Sequence, residues 1–262
     1  MSEGFMPGAE PFELAGADAG VLLLHGFSGS CSEIRGLGRA LGDAGYGVVA
    51  PVLAGHGTSP ADLERVTAAD FFASADAAYR EVRKRYARVY VVGLSMGGAL
   101  ALHLAARNPL EGLVTISTPV FMSPMVALSV PFAMRFMPQR SVISNYAAWR
   151  GEVVGYRTTP ISALSVFLDV IGAVKEDLPR VRAPLLVLHS TGDKTVPVAN
   201  AAYIASRVGS EHTAKRVYRG GRHLLTLPPH LDTVQMDVVR FLHSREAPYV
   251  TGPTARSRGG AA

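Results

Sequence analysis

The stretch Val89-Tyr90-Val91-Val92-Gly93-Leu94-Ser95-Met96-Gly97-Gly98 is a β-branched apolar run that leads directly into G-x-S-x-G. Behind it, residues 99–107 form a helix-favouring segment. A serine on so tight a strand-to-helix turn stands clear of the backbone, and glycines at 93 and 97 remove the Cβ atoms that would collide there. A helix N-terminus behind the serine offers unpaired N–H groups and the positive end of a dipole to a developing negative charge. The turn therefore fits a nucleophile, and it points to acyl-transfer chemistry.

A serine hydroxyl needs a base to take its proton, and the base needs a carboxylate to hold it. In Leu185-Leu186-Val187-Leu188-His189-Ser190-Thr191-Gly192-Asp193 an acid follows an apolar strand. In Tyr218-Arg219-Gly220-Gly221-Arg222-His223 a histidine follows another. The order Ser95, Asp193, His223 is the one expected on an α/β-hydrolase sheet, with all three in turns at the same sheet edge. Asp193 is assigned as the orienting carboxylate and His223 as the base. Two backbone donors should hold an oxyanion. Met96, the residue after the serine, supplies one, and Phe27 in His25-Gly26-Phe27-Ser28-Gly29 supplies the other.

The remaining histidines read as structural. His25 and His56 shape Gly-rich loops, His189 is a buried strand end, and His103 lies in the helix behind Ser95. His212, His230 and His243 are surface or helix-end residues. No zinc-ligand spacing, H-E-x-x-H or Gly-rich phosphate loop occurs, so neither metal nor cofactor is expected. The single cysteine, Cys31, reads as a small core residue and permits no intrachain disulfide.

Working outward, short apolar runs at 20–24, 46–51, 88–92, 112–117, 184–189 and 215–218 alternate with helical periods at 34–44, 68–86, 199–208 and 231–243. The pattern predicts an α/β fold with a mainly parallel sheet, helices on both faces, and an irregular lead-in holding an edge strand. It breaks between about 118 and 182, where proline, methionine and aromatics accumulate. That segment is expected to be a small cap inserted over the carboxyl edge of the sheet, where such sheets bind ligands. The expected organisation is one hydrolase domain over 1–244 and a disordered tail over 245–262.

With 262 residues, 48% of them hydrophobic, the chain supports one large core. The net charge of +5 is partly a helix face at Arg80, Arg83, Lys84, Arg85 and Arg88 and partly the tail at Arg256 and Arg258. No nucleic-acid module accompanies it. The N-terminus has no secretory pattern, and the most apolar stretch, 119–137, is interrupted by Arg135 and three prolines. The expectation is a cytoplasmic protein. An exposed apolar cap would suit a transient membrane-surface contact or a homodimer.

HGFSG, GHGT, GLSMGG, TGDKTVP and the final His223 together resemble the bacterial monoacylglycerol lipases and small carboxylesterases. The strings Pro7-Gly8-Ala9-Glu10-Pro11-Phe12, Glu64-Arg65-Val66-Thr67 and Tyr156-Arg157-Thr158-Thr159-Pro160 extend the resemblance over residues 7–243. It implies the triad Ser95, Asp193 and His223, the oxyanion donors Phe27 and Met96, and a cap forming an apolar acyl channel. Met122, Met125, Phe132, Met134 and Phe136 are the channel candidates. The cap string departs at Arg157, where those lipases carry a glutamate that binds glycerol hydroxyls; arginine donates but does not accept. Phe71 and Phe72 replace an aspartate–tryptophan pair, a change read as structural. The resemblance implies hydrolysis of monoacylglycerols or simple acyl esters. A lysophospholipase or acyltransferase would use the same triad, and a non-catalytic binding protein of this fold would usually lack a triad member.

Overall fold

The computed structural model describes residues 4–137, 139–144 and 153–246. A seven-stranded sheet runs in the order β1 (Phe12–Leu14), β3 (Gly47–Ala50), β2 (Ala19–Leu24), β4 (Arg88–Leu94), β5 (Gly112–Ile116), β8 (Leu185–Ser190), β9 (Thr213–Tyr218). All neighbours are parallel except the edge pair β1–β3. Strands β2 and β8 are buried along their whole length, which is why they read as unbroken apolar runs rather than alternating ones.

Two apolar layers cover the sheet. One packs α3 (Ala68–Arg85), α4 (Met96–Ala105), α6 (Ile161–Asp177) and α7 (Ala199–Arg207) on one face; the other packs α1 (Arg35–Asp43) and α8 (Leu231–Glu246) on the opposite face. Helix α3 begins at a capping box: the Asp70 N–H donates to Thr67 Oγ1, and the Thr67 N–H donates to Asp70 Oδ2 at 2.9 Å. The basic residues of its last turn, Arg83, Lys84 and Arg85, complement the helix dipole.

Between β5 and β8 the chain forms α5 (Pro124–Phe136), the two-stranded ribbon β6 (Ser141–Ile143) and β7 (Thr158–Pro160), and then α6. Pro124 sits in the first turn of α5, where no N–H is needed, behind the cap residue Ser123. The short helix α2 (Pro60–Glu64) was not anticipated, although Ser59-Pro60 is a helix-start signal. Of the tail expected over 245–262, residues 245 and 246 are the last turn of α8, and the rest lies outside the described residues. Among the described residues no helix is long and apolar enough to cross a membrane.

Candidate active site

Ser95 caps the junction of β4 and α4 with φ 53° and ψ −117°, a left-handed conformation that a non-glycine residue adopts only under constraint. The constraint is visible: its N–H donates to Ile116 O at 2.8 Å, and its carbonyl accepts from Gly98 and Ala99. A Cβ at Gly93 would strike the Gly97 carbonyl, and one at Gly97 would strike the backbone of Leu24 and His25. The turn closes only with glycine at both places.

His223 Nε2 lies 3.0 Å from Ser95 Oγ, and His223 Nδ1 lies 2.8 Å from Asp193 Oδ2. The Asp193 side chain is fully buried, and its Oδ1 accepts from the amides of Thr195 and Val196 at 2.8 and 2.9 Å. Burial pushes this carboxyl upward. His189, the His223 hydrogen bond and charge, and the Val196 amide outweigh it and hold the group well below the usual carboxylate range. Asp193 therefore stays ionised and fixes the His223 tautomer that leaves Nε2 able to accept the serine proton. The structure thus brings together three residues separated by 98 and 30 positions of sequence.

Among the described residues, no protein acceptor takes the N–H of Phe27 or of Met96. Met96 opens α4, where a first-turn amide has no helical partner. Phe27 follows β2, in the loop facing the same sheet edge.

A cavity of about 400 Å³ opens over Ser95 and His223, and its lining is mostly apolar. Met122 lines it, as do Val126, Ser129 and Val130 of α5. The channel candidates Met125, Phe132, Met134 and Phe136 do not. Met125, Phe132 and Phe136 are 77%, 63% and 62% exposed, because α5 turns residues 126 and 130 inward and residues 125, 128, 132 and 136 outward. Arg157 is exposed and is not a lining residue either; its carbonyl, not its guanidinium, serves the ribbon by accepting from Ser144. Besides Ser95 and His223, the polar lining comes from Ser28, Ser129, Ser144, Thr159, Thr195 and the exposed Lys194. Sequence reading missed Phe167, whose ring stacks on Phe27, and the Ser28–Thr159 pair, whose hydroxyls meet at 2.9 Å.

The other singled-out residues are structural. Cys31 is buried, and burial pushes its thiol up to about 12. Phe71 is fully buried, and Phe72 stacks on His103 at 4.0 Å. His103, Arg107 and Arg180 converge on the buried Asp177. Among the described residues no group of three or more His, Cys, Asp or Glu is placed to hold a metal.

Residues 15–229 match the Hydrolase_4 family, described as Serine aminopeptidase, S33. The chain is 34% identical over 238 residues to a thermostable monoacylglycerol lipase of Bacillus sp., covering 87% of this chain and 92% of that one. It is 28% identical over 242 residues to a carboxylesterase of Bacillus subtilis, covering 89% and 96%. Among solved structures, one from the metagenome-derived lipolytic enzymes LipS and LipT superposes with a TM-score of 0.82 at 31% identity, covering 92% of this chain and 99% of that one.

Proposed function

The chain belongs to the Hydrolase_4 family, and from that premise we propose that it cleaves monoacylglycerols or simple acyl esters through an acyl-enzyme on Ser95. It is a carboxylic ester hydrolase of the serine type. One observation carries the assignment of roles: the unbroken contact from Asp193 through His223 to Ser95 on the floor of an apolar cavity.

Ser95 Oγ attacks the ester carbonyl carbon as its proton passes to His223 Nε2. The carbonyl oxygen becomes an oxyanion held by the Phe27 and Met96 amides. Collapse breaks the bond to the alcohol oxygen, which leaves with the proton from His223. Water then gives a proton to His223 Nε2 as it attacks the acyl carbon; collapse breaks the acyl–Oγ bond, His223 returns that proton to Ser95 Oγ, and the acid departs. Asp193 stabilises the imidazolium in both halves.

The family description names a peptidase, but the cavity favours esters. An aminopeptidase needs a counter-charge for a free α-amino group, and no carboxylate stands among the described lining residues. The apolar walls suit an acyl chain, and the hydroxyls of Ser28, Ser144 and Thr159 suit an alcohol.

The outward face of α5 is the surface we assign to contact with the lipid that holds the substrate. Met125, Leu128, Phe132 and Phe136 are exposed there with Arg135, whose guanidinium lies over the Phe136 ring, a charge sign that matches anionic lipid.

The test is a hydrolysis panel of monoacylglycerols, diacylglycerols, lysophospholipids and p-nitrophenyl esters of rising chain length, with Ser95→Ala as the blank. Preference for monoacylglycerols makes the chain a monoacylglycerol lipase despite Arg157. Preference for short simple esters makes it a general carboxylesterase. Substantial activity in Ser95→Ala would overturn the reading.

A further inference from the structure

Resting on the ester-hydrolase reading, we infer that Glu33 and His56 are positioning residues that build the oxyanion-binding loop by occupying the two amides on either side of Phe27.

Four successive amides, those of Gly26, Phe27, Ser28 and Gly29, lie in the loop after β2. The Gly26 N–H donates to Glu33 Oε1, the Ser28 N–H donates to His56 Nε2 at 3.0 Å, and the Gly29 N–H donates to Gly26 O at 3.3 Å. Of these four, Phe27 alone has an amide with no protein acceptor among the described residues. The donor needed for catalysis is thus the one that its neighbours' partners leave unspent.

Both partners are costly residues to bury. Glu33 is 1% exposed and sits in a single 3₁₀ turn, Cys31–Glu33, where helix propensity does not call for it. A carboxylate so far from water persists only if hydrogen-bonded. His56 is 2% exposed. Its Nδ1 lies 2.8 Å from Ala54 O, so Nδ1 carries the proton and Nε2 presents its lone pair to Ser28. Burial and the neighbouring His25 push its pKa down to about 3, so the accepting form persists throughout the neutral range.

The loop is fixed from other directions too. Ser28 has φ 60° and would relax if released. Its carbonyl accepts from the Tyr156 amide at 2.8 Å, and its hydroxyl meets Thr159. These contacts anchor the loop to the cap, while Glu33 and His56 anchor it to the main domain. An oxyanion donor is effective when it is oriented before the charge appears, and one such donor is worth about 10²–10³ in kcat.

An alkyl trifluoromethyl ketone tests this in the full-length protein. Ser95 Oγ adds to its carbonyl carbon, the serine proton goes to His223, and the oxygen becomes a stable oxyanion. In ¹⁵N-labelled wild type, the amide protons of Phe27 and Met96 should move downfield while those of Gly26 and Ser28 hold still. A Gly26 or Ser28 response in place of Phe27 overturns the inference. Glu33→Met and His56→Phe should each lower kcat about 10–100-fold with KM changed less than threefold. Their ketone inhibition constants should rise in the same proportion, and Glu33→Gln and His56→Gln, which keep an acceptor oxygen, should recover most of the loss. Folded Met and Phe variants with wild-type kcat and ketone affinity also overturn it. If either variant fails to fold, the wild-type amide shifts decide. A wild type that neither cleaves esters nor binds the ketone refutes the esterase reading itself, a different outcome from an active enzyme with silent clamps.

Discussion

The ring of Phe27 lies flat on the ring of Phe167, centroids 4.7 Å apart and planes 6° apart. The loop carrying the proposed oxyanion donor is thereby packed on α6, the helix that follows the cap ribbon. Phe167 is 6% exposed and also lines the cavity. Phe167→Ala should cost about 3–5 kcal/mol of stability in urea unfolding, the usual penalty for emptying a phenyl site. In the fraction that folds, kcat should fall and KM should rise together, because both the donor loop and the acyl wall lose support. Unchanged kinetics would mean that the stack is incidental.

Removing triad members should produce unequal losses. Ser95→Ala is expected to lower kcat by about 10⁶ and Asp193→Asn by about 10⁴, since the latter spoils the imidazole tautomer but leaves the nucleophile. Both should keep the wild-type circular dichroism spectrum. An active-serine phosphonate should add once to the wild type, at Ser95 by peptide mass mapping, and not at all to Ser95→Ala.

Much of this arrangement is legible in the chain because its signals are local. An apolar run followed by G-L-S-M-G fixes a strand, a turn and a helix within a dozen residues, and Asp193 and His223 each follow their own strand. What the sequence hides is what touches across the fold. Ser28 meets His56 28 positions away and Thr159 131 positions away. Residues 124–136 carry apolar side chains on every face despite Ser129 and Arg135, so periodicity does not say which side faces the cavity, and Met125, Phe132 and Phe136 turn out to be the outer one. Arg157 stands at the family's polar position in the string, yet its side chain is on the surface. Glu33 carries no motif at all; its role comes from an amide seven residues earlier.

Stability should fall on mild acidification. Burial holds the pKa of His25 down at about 4, and burial and His25 hold that of His56 down at about 3. In the unfolded chain both return to about 6.5. Below that value the unfolded state takes up protons that the native state refuses, so stability present above pH 6.5 is lost as pH falls towards 4 and 3. At about 1.4 kcal/mol per pH unit, His25 should remove roughly 3 kcal/mol and His56 roughly 5 kcal/mol once the pH has fallen through their native values. Asp193, with its depressed pKa, adds a further loss only below about 3.9. Urea midpoints at pH 7.5, 6 and 4.5 measure the slope. His56→Gln should flatten it, and a slope unchanged in that variant would contradict the assignment.

Asp177 separates folding from chemistry. It is 3% exposed at the end of α6, where Arg180 meets Oδ1 at 2.9 Å and His103 Nδ1 meets Oδ2 at 3.2 Å, with Arg107 on the same oxygen. Asp177→Ala would leave the buried His103 ring without its acceptor while the half-exposed arginines turn to water, and should cost about 1–3 kcal/mol. It touches neither the cavity nor the triad. The expected result is a lower urea midpoint with kcat and KM near wild type at low temperature.

The two faces of α5 predict opposite kinetic effects. Val130 is 7% exposed and lines the cavity, so Val130→Trp should fill acyl space. Activity on long-chain p-nitrophenyl esters should drop well below that on acetate or butyrate, which need less room. Met125 and Phe132 point away from the cavity. The double change Met125→Ser and Phe132→Ser removes apolar surface that could enter a bilayer, at about 25 cal/mol per Å² buried. Hydrolysis of dissolved short esters should stay unchanged. Cosedimentation with anionic vesicles, and hydrolysis of monoacylglycerol presented in them, should fall together. If the double variant instead loses a dimer seen by light scattering while its vesicle binding is intact, the outer face of α5 is a protein–protein surface and the lipid assignment is wrong.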